Sequence, residues 1–329
     1  MEWLWDLGIA VGVALQAMGG WLALPMQFFS FLGSEDFFLL VLPVLYWSVN
    51  ADLGLRIGVI LLFSGAINDV FKLALRGPRP YWYSPAIKAL SAETSFGAPS
   101  GHAQIAAGVW GMLAARINRA WVWVVAIFIV LMIGLSRLYL GVHFLHDVLL
   151  GWLLGGLLLW GLLRVWDSVA AWVKGQSLGR QIGLAFGFSM LLLLCAAIPY
   201  LTLQNWTLPA AWMSNAAAAG VDEMPHPVTL NGILTTSGTL FGLFSGLAWM
   251  NTQGGFSTRG TATQRSLRYI LGLLGVALLW FGLGAIFPRG EELLPYLLRF
   301  VRYSLVGLWI SAGAPWLFIR LRLAGGSQE

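Results

Sequence analysis

The sequence predicts an all-α polytopic membrane protein, and three observations carry that prediction. Of its 329 residues, 58% are hydrophobic and only 10% charged, against roughly 25% charged in an ordinary soluble domain, so a water-exposed globule would lack the polar groups to coat it. The mean hydropathy of +0.77, with 18 Trp and 40 Gly, is that of helices packed in lipid. Apolar runs also recur at the roughly 20-residue length that a bilayer core of about 30 Å demands of a helix. The single cysteine, Cys195, lies in the apolar run SMLLLLCAAI, which excludes a disulfide-stapled fold and leaves the redox compartment unread. The formal charge is +5, yet no basic cluster is interleaved with aromatics along one element, so nucleic acid is not an expected partner.

Residues 1 to 32 are apolar but broken by Gly19, Gly20 and Pro25. They read as an interfacial helix followed by a re-entrant or surface segment, with a tenth span as the competing reading. The start MEWLWDLG carries Glu2 and Asp6 and no basic n-region, so we read it as part of the mature chain. Nine candidate spans follow, at about 36–50, 54–76, 101–117, 120–137, 145–164, 181–201, 231–250, 267–287 and 297–319. The first is short and holds Pro43. The seventh, NGILTTSGTLFGLFSGLAWM, is rich in Gly, Ser and Thr, which suits packing on other helices better than facing lipid. Between the sixth and seventh lies the longest polar-leaning stretch, residues 202–230.

Orientation follows from the basic residues. One set of loops and ends carries Arg56, Arg116, Arg119, Arg164, Lys174, Arg180, Arg259, Arg265, Arg268, Arg320 and Arg322; the opposite side carries Lys72, Arg76, Arg79, Lys88, Arg137, Arg289, Arg299 and Arg302. Three of the second set are claimed by a site below, and without them the first set dominates and is cytoplasmic. The C-terminus is then inside and the N-terminus outside. Short loops and the lack of a retention signal point to a bacterial inner membrane.

Ionisable residues near membrane depth are costly and mark sites or pairs, and they collect in one stretch. Between positions 72 and 147 the chain reads KLALRGPRP, GAPSGHA and SRLYLGVHFLHD, and three of the four His lie there. All three segments fall on the outer face. The chemistry they suit is phosphoryl transfer, whose transition state spreads negative charge over three equatorial oxygens. Lys72, Arg79 and Arg137 can meet that charge, the two guanidiniums through bidentate forks. Ser100 and the Gly101 backbone N–H add donors at the start of a helix. His143 and Asp147 are four apart, so on a helix the carboxylate can hold Nδ1–H and leave Nε2 free to attack phosphorus. His102, flanked by no carboxylate, is then the acid for the leaving oxygen and the base for water. No metal or other cofactor is called for, because the protein supplies the cations and no His or carboxylate cluster has metal-ligand spacing.

The segments K-x6-R-P (Lys72, Arg79, Pro80), P-S-G-H (Pro99 to His102) and S-R-x5-H-x3-D (Ser136, Arg137, His143, Asp147) resemble the type 2 phosphatidic acid phosphatase superfamily at every motif position. The resemblance implies a six-helix catalytic core over residues 36–201, after an N-terminal segment 1–35. Residues 202–329 then hold an outer loop and about three additional transmembrane helices. It further implies a metal-independent phosphatase working through a phosphohistidine, with its site on the extracytoplasmic side. The expected substrate is a lipid phosphate or pyrophosphate drawn from the membrane, such as a polyprenyl pyrophosphate, a phosphatidate or a sphingoid phosphate. The nine-span layout with an outside N-terminus is similar to the glucose-6-phosphatase and sphingoid-phosphate phosphatase branches, so a sugar phosphate also fits. A phosphotransferase using the same intermediate is a second reading. A transporter for phosphorylated solutes is a third, and it has no use for the His143 and Asp147 pair.

Other polar residues take plainer readings. Arg76 snorkels at the end of a span, Asp69 pairs with Lys72 or makes a polar helix contact, and His226 is an exposed loop residue. His146 breaks the motif spacing and faces a different side of the helix from Asp147. Gly151, Gly155 and Gly156 form a packing face. Tyr81, Trp82 and Tyr83 are interfacial anchors, placed where they can also line the mouth of a cleft.

Overall fold

The computed structural model describes residues 2–326, and every regular element among them is helical. Among the described residues seven helices are long and apolar enough to cross a membrane; they become eight if Trp3–Gln16 and Gly20–Phe31, bent by 92° at their junction, count as one broken span. The protein is a multi-pass integral membrane protein. Two of the nine sequence-derived spans come out short. Residues 101–117 form a helix of 17 residues, about 25 Å at 1.5 Å per residue, less than a bilayer core. Residues 36–50 are not one helix: Glu35–Val44, with Pro43 inside it, runs into a π-helical turn at Leu45–Val49 before Asn50 goes extended.

The described chain packs as two compact units, each assembled from separate stretches. The first comprises residues up to Phe37, Ile67–Gly161 and Ala196–Thr229. It opens with α1 (Glu2–Gln16) and α2 (Ala23–Phe31), and the turn between them needs Gly19 at φ 106, a conformation that only glycine adopts without strain. The Gln16 side chain then ties the end of α1 to two other segments, donating from Nε2 to Lys88 O (2.8 Å) and Tyr139 O (3.0 Å). After α3 (Glu35–Val44) and α4 (Ala51–Leu75) comes a short α5 (Pro80–Tyr83) with Pro80 at its first position, where a missing N–H costs nothing.

The helix α6 (Gly101–Ile117) ends on Asn118 in the left-handed region, φ 51, and α7 (Ala120–Tyr139) turns straight back along it. Ala114, Val122 and Ala126 fill the space between them with Trp110 at the edge. The next helix, α8 (Leu145–Lys174), approaches the backbone of α6 closely: a Cβ on Gly151 would sit 2.6 Å from Ser100 O, and one on Gly155 would overlap Gln104 O. Gly156 faces open space, so two of the three expected packing glycines serve that contact. The unit is completed by the end of α9 (Leu178–Leu201) and by α10 (Ala210–Ala218), a helix within the stretch read as loop. The α10 segment lies against α5, where Asn215 Nδ2 donates to Trp82 O (2.9 Å).

The second unit comprises Phe38–Ala66, Leu162–Cys195 and the chain from Leu230 onward. Its centre is α11 (Asn231–Thr252) against α14 (Leu293–Leu308). Gly238, Gly242 and Gly246 recur every fourth residue and meet the α14 side at Phe300 O, Ser304 O and Leu308 O, while Gly307 returns the contact on Thr239 O. This explains the unusual composition of the seventh span: its most apolar window is 67% buried, more than any other candidate span, as small residues let backbones approach. Around that pair lie α12 (Ala262–Ala277), opened by a capping box between Thr261 and Gln264, α13 (Leu283–Ile286) and α15 (Ala314–Arg320). The fully buried Arg268 donates to the carbonyls of Trp47, Ser257, Thr258 and Arg259 and so closes a loop.

Candidate active site

All eight residues proposed from sequence fall in the first unit, and the reason they meet lies in the backbone. Asn68, one turn before Lys72 on α4, donates from Nδ2 to Pro99 O (3.2 Å) and to Gln104 Oε1 (3.0 Å), which docks the PSGH segment on α4. Gly97 N donates to Gly77 O (2.9 Å), and Ser100 N to Asp147 O (3.0 Å). The three motif segments are therefore joined by direct hydrogen bonds. Arg79 is extended, φ −93 and ψ 155, as the residue before a proline is biased to be, and its guanidinium lies over the Trp82 ring of α5, 5.9 Å from the centroid.

Arg79 is fully buried, with all its N–H groups engaged. Nε donates to Ser95 O (2.7 Å), Nη1 to Val142 O (3.0 Å) and Nη2 to Ser95 Oγ (3.0 Å) and Phe96 O (3.1 Å). Nη1 also lies 3.3 Å from His143 Nε2. Because a guanidinium only donates, that contact requires Nε2 to carry the lone pair. The proton is then on Nδ1, which faces Asp147 Oδ2 at 3.3 Å. Asp147 is itself held by the Phe144 backbone N–H, which donates to Oδ2 at 2.9 Å. Burial, with Arg79 and Arg137 close by, holds the His143 imidazole neutral, its pKa well below the usual value.

Lys72 Nζ donates to Ser95 Oγ (2.8 Å), and Asp69 interacts with it electrostatically. Arg137, on the last turn of α7, donates from Nη1 to Ser30 Oγ (2.6 Å) and pairs through Nη2 with Glu93, while its buried Nε has no partner among the described residues. Ser100 is buried and caps α6, its Oγ accepting from Ala103 N (3.4 Å), so Gly101 opens the helix and His102 sits in its first turn. His102 interacts electrostatically with Arg137, Glu93, Lys72, Arg79 and His143.

Four residues of this site were not found from sequence. Glu93 is one: its carboxylate pairs with Arg137 and lies 3.5 Å from Arg79 Nη2, so His102 does have an acidic neighbour, nine positions upstream. Burial alone would raise the Glu93 pKa, but Arg79 and Arg137 hold it well below the ordinary carboxylate range. Ser95 bonds both Lys72 and Arg79, Ser30 supports Arg137, and Asn68 docks the PSGH loop. Two expectations are corrected. His146 does not face away from Asp147: its Nε2 is 3.3 Å from Oδ1, though off hydrogen-bond geometry, because its ring stacks on Phe144 at 5.3 Å and is carried back over the helix start. Arg76 donates to Thr202 Oγ1 (3.2 Å), and His226 is exposed while its backbone N–H donates to Thr94 O (2.9 Å). Tyr81 and Trp82 are buried, so they belong to the walls of the site and are not interfacial anchors.

Among the described residues no three His, Cys, Asp or Glu side chains converge so as to hold a metal ion. The arrangement is three cations, a helix N-terminus and a neutral imidazole with an oriented lone pair, which together can receive a phosphoryl group and attack it.

Comparison with known proteins places the chain among membrane phosphatases. The model of the PAP2 superfamily matches residues 53–170, and that of the PAP2 superfamily phosphatase transmembrane extension matches residues 234–326. Glucose-6-phosphatase 3 of Bos taurus is 30% identical, with 96% of this chain and 96% of that protein covered. Glucose-6-phosphatase 2 of Homo sapiens is 26% identical, with 92% and 93% covered. A transmembrane PAP2 type phosphatidylglycerolphosphate phosphatase from Bacillus subtilis, known from its crystal structure, is 28% identical at a TM-score of 0.44, covering 51% of this chain and 88% of that one. The chain belongs to the PAP2 superfamily and is a membrane phosphatase, a phosphoric ester hydrolase.

Proposed function

We propose that the protein hydrolyses a phosphate monoester through a phosphohistidine on His143, without a metal ion. The observation that carries this reading is the His143 ring itself, with Nδ1 on Asp147 and Nε2 directed at the guanidinium that would bind the phosphate. In the first step the Nε2 lone pair forms the N–P bond, the bond from phosphorus to the leaving oxygen breaks, and His102 gives that oxygen its proton. Arg79 Nη1–H transfers its hydrogen bond from Nε2 to a phosphoryl oxygen at the same time, which uncovers the nucleophile only when substrate is present. Asp147 stabilises the imidazolium character that develops. In the second step His102 takes a proton from water, the new P–O bond forms and the N–P bond breaks. Bound phosphate, being doubly negative, favours the protonated His102 that the first step needs.

The leaving group we favour is a sugar, in preference to the lipid tails suggested by the position of the motifs at span ends. Support comes from relatives that align over nearly their whole length and carry the name glucose-6-phosphatase. The segment 202–230 also packs over the site loops, with Trp206 against Phe96 (5.5 Å) and Trp212 against Trp82 (6.3 Å). Purified protein in EDTA should release phosphate faster from glucose 6-phosphate than from phosphatidate, sphingoid phosphate or polyprenyl pyrophosphate, and vanadate should block it. A lipid substrate winning that panel overturns the sugar assignment alone; activity abolished by EDTA and restored by Mg²⁺ overturns the metal-free mechanism. Added alcohol acceptors test for transfer in place of hydrolysis.

We further propose, from the distribution of basic residues, that the C-terminus lies in the cytoplasm and the site on the opposite face. In a Cys195→Ala background, a Lys88→Cys variant should label in intact cells with an impermeant maleimide, and an Arg119→Cys variant only after lysis; both positions are exposed. The reverse pattern would put the site on the cytoplasmic face.

A further inference from the structure

The phosphate site already holds an anion of its own. The Glu93 carboxylate lies between the guanidiniums of Arg79 and Arg137, one oxygen toward each. Arg79 is the guanidinium that the proposed mechanism gives to the phosphoryl group and Arg137 the second fork of the same motif set, so the inference rests on that reading. We infer that Glu93 is a specificity-determining residue, which must be displaced from Arg79 and Arg137 for a phosphoryl group to bind and which yields to a doubly charged monoester but not to a singly charged diester.

Geometry allows the displacement. The Glu93 backbone is clamped by the buried Tyr81 hydroxyl, which accepts from Glu93 N (3.1 Å) and donates to Glu93 O (2.9 Å). The side chain, by contrast, is 26% exposed, so it can leave by rotating about its own bonds while the loop stays in place. Arg79 has all its N–H groups committed to Ser95, Phe96, Val142 and His143 and meets Glu93 as an ion pair at 3.5 Å, whereas Arg137 gives Nη1 to Ser30 and Nη2 to Glu93. A ligand therefore competes with the carboxylate for the Arg137 N–H groups, and at Arg79 it competes with the carboxylate's charge and with the contact to His143.

Charge then decides what wins. A carboxylate offers one negative charge and two oxygens. A phosphodiester offers the same, so exchanging one for the other gains nothing from the cations. A monoester dianion offers two charges and three terminal oxygens, enough to satisfy both guanidiniums and Lys72 together. In the resting enzyme the carboxylate also keeps two buried arginines paired, which spares the cost of leaving them unpaired.

The test measures inhibition of phosphate release by methyl phosphate and by dimethyl phosphate in the wild type and in Glu93→Gln. Wild type should be inhibited by methyl phosphate at far lower concentration than by dimethyl phosphate. In Glu93→Gln the dimethyl phosphate inhibition constant should fall about tenfold, the scale of one charge-assisted hydrogen bond, and the ratio between the two inhibitors should narrow. A residue that merely orients the arginines behaves otherwise: both inhibitors weaken together, kcat falls and the ratio stays, which overturns the inference. If Glu93→Gln does not fold, Glu93→Asp keeps the charge on an arm too short to bridge both guanidiniums. It should narrow the ratio by a smaller factor, and an unchanged ratio there also overturns the inference. Wild type that responds to neither methyl phosphate nor vanadate would show that the phosphate site itself is misassigned, and the role of Glu93 falls with it.

Discussion

His143→Ala should lose at least about 10⁴-fold in kcat on every substrate, whatever its leaving group, because the atom that the proposed mechanism bonds to phosphorus is gone. His102→Ala should behave differently. Its proton on the leaving oxygen is worth about 10²- to 10⁴-fold for a sugar alkoxide, and a nitrophenolate needs almost none of it. The first step on nitrophenyl phosphate should thus survive in His102→Ala, with turnover then limited by attack of water. Asp147→Asn should fall between the two, since the nucleophile remains while the tautomer fixed by Asp147 Oδ2 and Arg79 Nη1 loses half its support. Steady-state and burst kinetics across a series of leaving groups read all three; equal losses for His102→Ala and His143→Ala on nitrophenyl phosphate would remove the distinction between their roles.

Arg79→Lys should be the second most damaging change, and for two separable reasons. The fork that would hold two phosphoryl oxygens becomes a single ammonium, a loss of about 10²- to 10³-fold by comparison with other oxyanion donors. The same change strands Phe96 O and Val142 O, buried carbonyls that Arg79 now satisfies at 3.1 and 3.0 Å, at about 1–3 kcal/mol each, along with the half-buried Ser95 O at 2.7 Å. Thermal unfolding should accordingly shift down along with activity. Arg137→Lys makes the contrast, because among the described residues Arg137 bonds no backbone carbonyl and its side-chain partners are Ser30 and Glu93. It should lose activity on a similar scale with a much smaller shift in unfolding temperature. If the two variants destabilise the fold equally, the division between a fixed and a free guanidinium is mistaken.

The helices were readable because a span announces itself by twenty apolar residues, and most of the boundaries agree to within a few positions. Where they do not, local chemistry interrupts the pattern. The π-helical turns at Leu45–Val49, Leu278–Gly282 and Trp309–Gly313 insert an extra residue into otherwise apolar sequence, and periodicity carries no mark of it. The packing role of the seventh span was legible, since Gly, Ser and Thr at four-residue spacing have few other uses in lipid.

The candidate site divides along similar lines. Residues whose roles depend on chain-local spacing, such as His143 with Asp147, could be proposed from the sequence. Glu93, Ser95, Ser30 and Asn68 act across distances that only the folded chain closes. For Glu93 a signal did exist: it is the sole acidic residue between Gly77 and Gly101, in the stretch that joins two cation-bearing motifs. Ser95 and Ser30 carry no comparable mark. His146 was misplaced because ideal helical angles were applied to the first turn of α8, where stacking on Phe144 sets the ring direction instead.

Alkaline-quench trapping with a radioactive phosphate ester tests the central claim, that His143 becomes covalently phosphorylated, most directly. Wild type should yield acid-labile, base-stable label on one peptide containing His143, and His102→Ala should accumulate more of it on nitrophenyl phosphate because the water step is slowed. His143→Ala should yield none. Label on His143→Ala together with none on His102→Ala would exchange the two roles, and no label on wild type under rapid quench would contradict the covalent mechanism in favour of direct attack by water.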